Sequence, residues 1–240
     1  MLVHELHPRV LAFTTGRNED LALKDASHII ATDTIPQPLR RLGWGSDTLP
    51  LALPRQTHTS HAMWVTQPGR EPDTDAVVTD VPGLCVCVKT ADCIPVLLYD
   101  HVRNVVASIH AGWKGTVGYI VRNTIDLMER RGTDPADIIA HIAPGISLDS
   151  FEVGDEVYDR FHRSGFPMHK IARQYPATGV RSQKWHIDLW EANKWVLEQC
   201  GVTRISISGI DTYTTPQYYS ARRETIGTGR NFNGIMLLPG

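Results

Sequence analysis

The sequence predicts a mixed α/β domain of the α+β kind, a layered β core flanked by helices. Three observations predict it. Apolar runs of strand length recur along the chain. Short turns join some of these runs and helical patterns join others, with no regular strand–helix–strand repeat. Of the 240 residues, 42% are hydrophobic, enough for one sizeable core, and no linker divides the chain. Residues 1–240 therefore read as one domain.

Taken in order, residues 11–15 (L-A-F-T-T) read as a strand ending in a loop at Gly16, Arg17 and Asn18. Pro36, Pro38, Gly43, Gly45 and Pro50 make residues 36–50 a loop-rich connection. The β-branched and aromatic content of residues 51–65 predicts a strand passing through His58. Residues 76–79 lead into a turn at Asp80, Val81, Pro82 and Gly83. An apolar run at 84–88 then feeds Thr90, Ala91, Asp92 and Cys93. A second run follows at 95–99, and a third, at 105–109, ends on His110. Val117, Ile120, Val121, Thr124 and Met128 fit a helix starting after Gly115 and stopped by Gly132.

Residues 138–142 read as a strand closed by Ala143, Pro144 and Gly145. Val153, Val157 and Phe161, four apart, predict a short helix over 152–161. Residues 163–185 look irregular. Residues 185–188 open a helix with Leu189, Ala192, Val196 and Cys200 on one face and Gly201 as its stop. A strand at 205–207, a polar and aromatic stretch at 213–230 and a closing strand at 235–238 complete the chain.

Charge and cysteine usage narrow the function. Lys plus Arg number 24 and Asp plus Glu 26, so no basic surplus points to nucleic acid or to an anionic membrane surface. The N-terminal residues lack a signal-peptide pattern, and no apolar run approaches a membrane span. Four cysteines without a secretion signal do not make a disulfide framework, and a reducing cytoplasm is expected. Cys85 and Cys87 alternate in an apolar strand and read as small buried residues. No phosphate-binding or dinucleotide-binding glycine motif occurs.

Cys93 and His110 carry the chemistry. A thiol and an imidazole on neighbouring strand ends can form a metal site, a nucleophile–base pair, or a buried thiol beside a satisfied histidine. Zinc takes both ligand types and, in a catalytic site, keeps one position open. Among the 11 histidines His58 is the best third ligand, since it lies on a strand-like segment beside the central runs. His61, three positions on, would face the other side of such a strand.

A set of motifs falls in one order: Q-T-H at 56–58, T-D-V-P-G-L at 79–84, T-A-D-C-I-P-V at 90–96, H-A-G-W-K-G-T at 110–116, A-P-G-I at 143–146, F-E-V-G-D-E-V at 151–157, D-L-W-E-A-N at 188–193 and T-G-R-N at 228–231. Together they resemble the bacterial YfiH-like family, also called laccase-domain or multicopper polyphenol oxidase proteins. The resemblance runs from about residue 10 to residue 238. It implies a single layered domain similar to the catalytic domain of a toxin deamidase. It also implies a zinc site formed by His58, Cys93 and His110, with copper as the alternative metal.

The implied activities are phosphorolysis of purine nucleosides (adenosine, inosine, methylthioadenosine) to base and ribose 1-phosphate, and adenosine deamination. Phenol oxidation and peptidoglycan-precursor editing are the alternatives. The implied partners are a small nucleoside and phosphate, with no nucleic acid and no membrane; the oligomeric state stays open, a monomer included. A laccase also needs a trinuclear copper cluster, usually built from His-x-His pairs, and no such pair occurs. For deamination Asp92 is a candidate proton acceptor, with a turn-capping carboxylate as the alternative. For phosphate the candidates are Lys114, Arg222, Arg223 and the helix start after Gly115. Lys114 replaces the family's usual Arg, which weakens a bidentate grip. Trp113 and Tyr219 could stack a purine or simply pack.

Overall fold

Two sheets stack face to face in the computed structural model of the chain, which describes residues 1–17, 21–23, 28–31, 48–175 and 184–239. The first sheet has the order β1 (Leu2–His4), β2 (Val10–Thr14), β16 (Asn231–Leu237), β8 (Cys85–Thr90), β5 (Thr48–Ala52), β4 (His28–Ala31) and β3 (Leu21–Leu23). The second has the order β15 (Arg204–Ile207), β11 (Ile138–Ile142), β9 (Ile94–Asp100), β10 (Val105–Ala111), β7 (Ala76–Thr79) and β6 (Ala62–Trp64). A small third sheet joins β12 (Glu152–Val153), β14 (Lys184–Ile187) and β13 (Ala172–Tyr175). The helices are α1 (Trp113–Val117), α2 (Ile120–Glu129), α3 (Asp155–Arg163), α4 (Met168–Ile171) and α5 (Leu189–Gln199). The architecture is mixed α+β, as the sequence predicts.

Strand alternation builds the layers. Val77, Leu97, Tyr99 and Val106 of the second sheet pack on Val10, Ala12, Val86, Ile235 and Leu237 of the first. Their sequence neighbours Ala76, Val78, Val96, Leu98, Ala107 and Ile109 turn the other way, onto Ile120, Val121 and Ile125 of α2 and Leu189 and Val196 of α5. Strands β7, β9 and β10 are thus buried on both faces, which is why they read as unbroken apolar runs. Cys85 and Cys87 share the outer face of the first sheet with Leu11, Phe13 and Leu51.

Several expectations change. Residues 51–65 are not one strand: β5 ends at Ala52 and β6 begins at Ala62. Between them the chain leaves the sheet, with Leu53 and Arg55 bonded to the 69–71 segment, and His58 adopts a left-handed backbone, φ 63. The helix after residue 110 starts at Trp113, on an N-cap Gly112, and α2 restarts beyond Tyr119 (φ 58). The helix expected from residue 152 starts at Asp155, because Glu152 and Val153 pair with β14. Residues 185–187 belong to β14, and Asp188 caps α5 by accepting the Glu191 N–H at 2.9 Å. Asn18 and residues 36–47 lie outside the described residues, while residues 48–50 belong to β5. The irregular stretch at 163–185 holds α4 and β13, and residues 176–183 lie outside the described residues.

His4 on β1 and His141 on β11 lie with ring centroids 4.2 Å apart, their planes tilted by 39°. Burial pushes His4 down to about 3, with repulsion from His141 adding to it, and burial pushes His141 down to about 4. Both rings stay neutral in the fold, while the unfolded chain protonates them near 6.5. The unfolded state then binds more protons below that pH, so stability falls as pH drops and is unaffected above it. The melting temperature should therefore decline from pH 6.5 towards pH 4.5, at a limiting slope of about 1.4 kcal/mol per pH unit for each histidine. The His4→Phe/His141→Phe double variant should flatten that decline. An equally steep decline in the double variant would assign it to other groups.

Candidate metal centre

Two chain crossings meet at one end of the sandwich. Residues 91–93 carry the chain from β8 in the first sheet to β9 in the second. Residues 53–61 make the same passage from β5 to β6. Beside them lies the end of β10, where His110 is paired opposite Pro95. Cys93 sits on the first crossing, His58 on the second and His110 on the strand end. One ligand atom from each lies within 4.8 Å of the others. The Cys93 Sγ to His58 Nε2 distance is 4.0 Å, and the two imidazoles meet edge to face at 4.9 Å. Gly112 permits this approach: a Cβ there would stand 3.0 Å from Cys93 Sγ and 3.2 Å from His58 Cδ2.

Asp75 organises the cluster, and the sequence reading missed it. It is fully buried just ahead of β7. Its Oδ1 accepts from His110 Nδ1 at 2.7 Å and from the His58 N–H at 3.1 Å. Its Oδ2 accepts from the Thr57 N–H (3.2 Å), the Thr59 N–H (2.7 Å) and the Thr59 hydroxyl (2.8 Å). Three successive N–H groups thus wrap one carboxylate, a nest that accounts for the left-handed His58. One side chain fixes both histidine ligands and leaves His110 Nε2 for the site. An acidic residue one position before an apolar run was the available signal.

Burial opposes ionisation of Cys93, but His110 and the hydrogen bonds from His110 and His58 outweigh it, so the thiol is held well below its usual range. Burial likewise opposes charging of His110, and the Cys93 thiolate and the Asp75 carboxylate overcome it and raise it. A preformed thiolate with two nitrogen donors suits a borderline-soft cation. All three ligands line one cavity of about 340 Å³, so a bound ion would keep an open position towards it. The structure thus brings together a cluster able to hold a metal.

The cavity is cationic. Arg55, Arg70, Lys89 and Arg230 line it, and among the described residues none of the lining is acidic. Pairing of residues 51–55 with 69–71 brings Arg55 and Arg70 together, through Leu53 N–H to Gly69 O (3.0 Å) and Arg55 N–H to Glu71 O (2.8 Å). Gln56 joins that loop to β8: its amide donates to Lys89 O at 2.7 Å and accepts the Lys89 N–H at 2.8 Å. Burial, then Arg70 and Arg230, push the Lys89 ammonium below its ordinary value. Crowded like charges with no acidic neighbour in the described lining could receive an anion.

The cations expected from sequence lie elsewhere. Lys114 is exposed over Trp113, 5.7 Å from its ring centroid. Arg222 donates to Glu152 O at 3.0 Å and covers Phe151. Arg223 is spent on the carbonyls of Thr212 and Tyr213, each at 2.7 Å, and of Tyr218. None of the three lines the cavity, nor do Trp113 and Tyr219. The helix start expected after Gly115 is not a terminus at all, since α1 already runs through it. Asp92 is buried, and both its oxygens accept protein hydrogen bonds. His61 is exposed, 3.1 Å from Asp73 O, and stands outside the cluster for want of proximity rather than by strand alternation.

A layered α+β frame carries a His–Cys–His cluster able to hold a metal, and the cluster opens on a cationic cavity. The chain belongs to the multi-copper polyphenol oxidoreductase laccase family, whose family model matches residues 22–238. It is 43% identical over 201 residues, 78% of this chain and 73% of the relative, to a purine nucleoside phosphorylase of Bacteroides thetaiotaomicron. It is 38% identical over 204 residues, 80% of this chain and 76% of the relative, to adenosine deaminase RL5 of an unknown prokaryotic organism. Its fold matches YlmD from Geobacillus stearothermophilus with a TM-score of 0.79 at 24% identity, covering 97% of this chain and 93% of that one. A Neisseria meningitidis protein matches with a TM-score of 0.77 at 27% identity, over 99% of both chains.

Proposed function

We propose that the chain is a zinc-dependent purine nucleoside phosphorylase with adenosine deaminase side activity, acting in a reducing cytoplasm on residues 1–240 as one catalytic domain. The observation that carries this reading is the adjacency of the His58–Cys93–His110 cluster to a cavity lined by four cations and no carboxylate. Zinc suits the two imidazoles and one thiolate, and when bound it supplies a Lewis acid at neutral pH. Among the described residues no second ligand group accompanies this one, so a multicopper reaction lacks its further ligands. Among those residues no helix is long and apolar enough to cross a membrane.

In this reading Arg55, Arg70 and Lys89 grip phosphate, and Arg230, whose guanidinium donates to the carbonyls of Ile226 and Gly229, adds its positive charge. A phosphate oxygen bonds to C1′ of the ribose as the C1′–N bond breaks. The purine leaves as the neutral base, taking the proton of the hydrogen phosphate ion, and ribose 1-phosphate remains as its dianion. His110, held by Asp75, and His58 keep the metal at the reacting end of the cavity. In the side reaction water replaces the 6-amino group and no phosphate is needed.

Arg70→Ala and Lys89→Ala test the assignment. Each should raise the phosphate KM about tenfold or more, because one charge-assisted hydrogen bond is worth about 1.5–3 kcal/mol. Inosine formation in phosphate-free buffer should fall less than about threefold. Equal loss of both reactions would remove these residues from the phosphate site.

One observation favours a second reading. Cys93, His110 and Asp75 align as nucleophile, base and orienting carboxylate. That order would serve a metal-free hydrolase, and peptidoglycan-precursor editing would be such a reaction. Hydrolysis of a precursor peptide that survives chelation and stops on Cys93 alkylation would favour it.

A further inference from the structure

Asp92 is the residue on which three segments converge. It occupies the crossing immediately before Cys93, is buried, and has φ 92, a backbone that non-glycine residues seldom adopt. Its Oδ1 accepts from the Thr212 hydroxyl at 2.8 Å, and its Oδ2 accepts from the Arg222 N–H at 2.7 Å. Its carbonyl accepts from the Ile146 N–H at 2.8 Å. Gly145 makes room for that junction, since a Cβ there would meet Asp92 O at 3.1 Å and Ile94 Cδ1 at 2.5 Å. Thr212 and Ser220 are fully buried, so this is an internal seam.

The chain beyond the seam forms the far wall of the cavity through Ala221, Ile226 and Arg230. That wall is largely exposed, Ile226 by 85%, although Gly229 packs against the Tyr219 ring and Glu224 pairs with Arg17. Arg230 holds it in shape by donating to Ile226 O at 2.8 Å and Gly229 O at 3.0 Å. The Arg222 N–H bond stands where the wall leaves the seam, and it ends on the residue next to a metal ligand. Asp92 does not line the cavity and has no oxygen free of a protein donor. A proton acceptor for the substrate would need both.

We propose that Asp92 is a positioning residue that locks the wall at 220–230 to the metal turn, setting how tightly the cavity holds its nucleoside. The proposal rests on the functional reading above for its choice of substrate. Its structural part stands apart from that reading.

The test compares Asp92→Asn and Thr212→Val with the parent protein, all loaded with zinc. Thr212→Val removes one of the two carboxylate bonds without touching residue 92, and it carries the test if Asp92→Asn does not fold. Three quantities are measured: zinc content, amide exchange in peptides covering 220–230, and adenosine phosphorolysis. Zinc content should stay at the parent's level. Exchange over 220–230 should quicken about tenfold in Asp92→Asn and less in Thr212→Val, because local opening is easier when an anchor is lost. The adenosine KM should rise about tenfold while kcat stays within about threefold. A fall in kcat of about 100-fold with KM and exchange unchanged would make Asp92 a proton acceptor and overturn the proposal. Loss of zinc with exchange unchanged would overturn it too, by confining Asp92 to the ligand turn. If the parent protein does not turn over adenosine, the functional reading falls, and the exchange comparison alone decides this one.

Discussion

Cys93→Ala is expected to abolish metal binding and nucleoside turnover while leaving the fold standing. Cys93 is one of the three candidate ligands, and without it two imidazoles on separate segments would be left to hold an ion against chelation. Its thiolate is also the one anionic donor, held ionised by His110 and His58 against burial. The fold survives because Cys93 sits on a crossing at the end of the sandwich, half-buried, and belongs to none of the three apolar clusters. The expected result is zinc content below about a tenth of the parent's and no detectable phosphorolysis, with an unchanged circular dichroism spectrum. Full zinc occupancy in the variant would refute the ligand set.

Asp75→Asn weakens the site without deleting a ligand. The carboxylate takes five hydrogen bonds, among them those from His110 Nδ1 and the His58 N–H. An amide of the same shape presents one oxygen and one NH2, so a donor meets donors on one side. It also removes the charge that holds His110 Nδ1 protonated. Metal affinity should drop about 10- to 100-fold, the usual scale for a group that orients a ligand. The melting temperature should fall as well, since N–H groups at 57–59 lose their acceptor. Competition with a chelator of known affinity reads the first effect and calorimetry the second. Unchanged zinc affinity would reduce Asp75 to a purely structural anchor.

Much of the β core was legible because its signals are local. The runs at 84–88, 95–99 and 105–109 became strands, with β9 and β10 buried on both faces. Cys93 and His110 could be paired because each closes or opens such a run. His58 was found for the wrong reason: composition suggested a strand, but Gln56 and the Asp75 nest hold residues 53–61 as a loop. That loop geometry depends on residues 16 to 33 positions away, which periodicity does not sense.

The anion site was illegible for the same cause. Arg55, Arg70, Lys89 and Arg230 are scattered along the chain and meet only because residues 51–55 pair with 69–71 and β16 pairs with β8. Arg222 and Arg223 looked like an anion grip because they are adjacent, yet Arg223 is absorbed by carbonyls and Arg222 turns to Glu152. The motif glycines had readable identities but hidden partners. Gly112 faces Cys93 Sγ, and Gly229 sits where a Cβ would stand 2.5 Å from the Tyr219 ring.

The central claim is that phosphate is a substrate of this cavity. The most direct measurement is chromatography of adenosine digests with and without inorganic phosphate. Adenine release should rise with phosphate concentration, with ribose 1-phosphate appearing in equal amount, while inosine formation continues in phosphate-free buffer. Adenine released at the same rate without phosphate, with free ribose as co-product, would mean hydrolysis and would contradict the account.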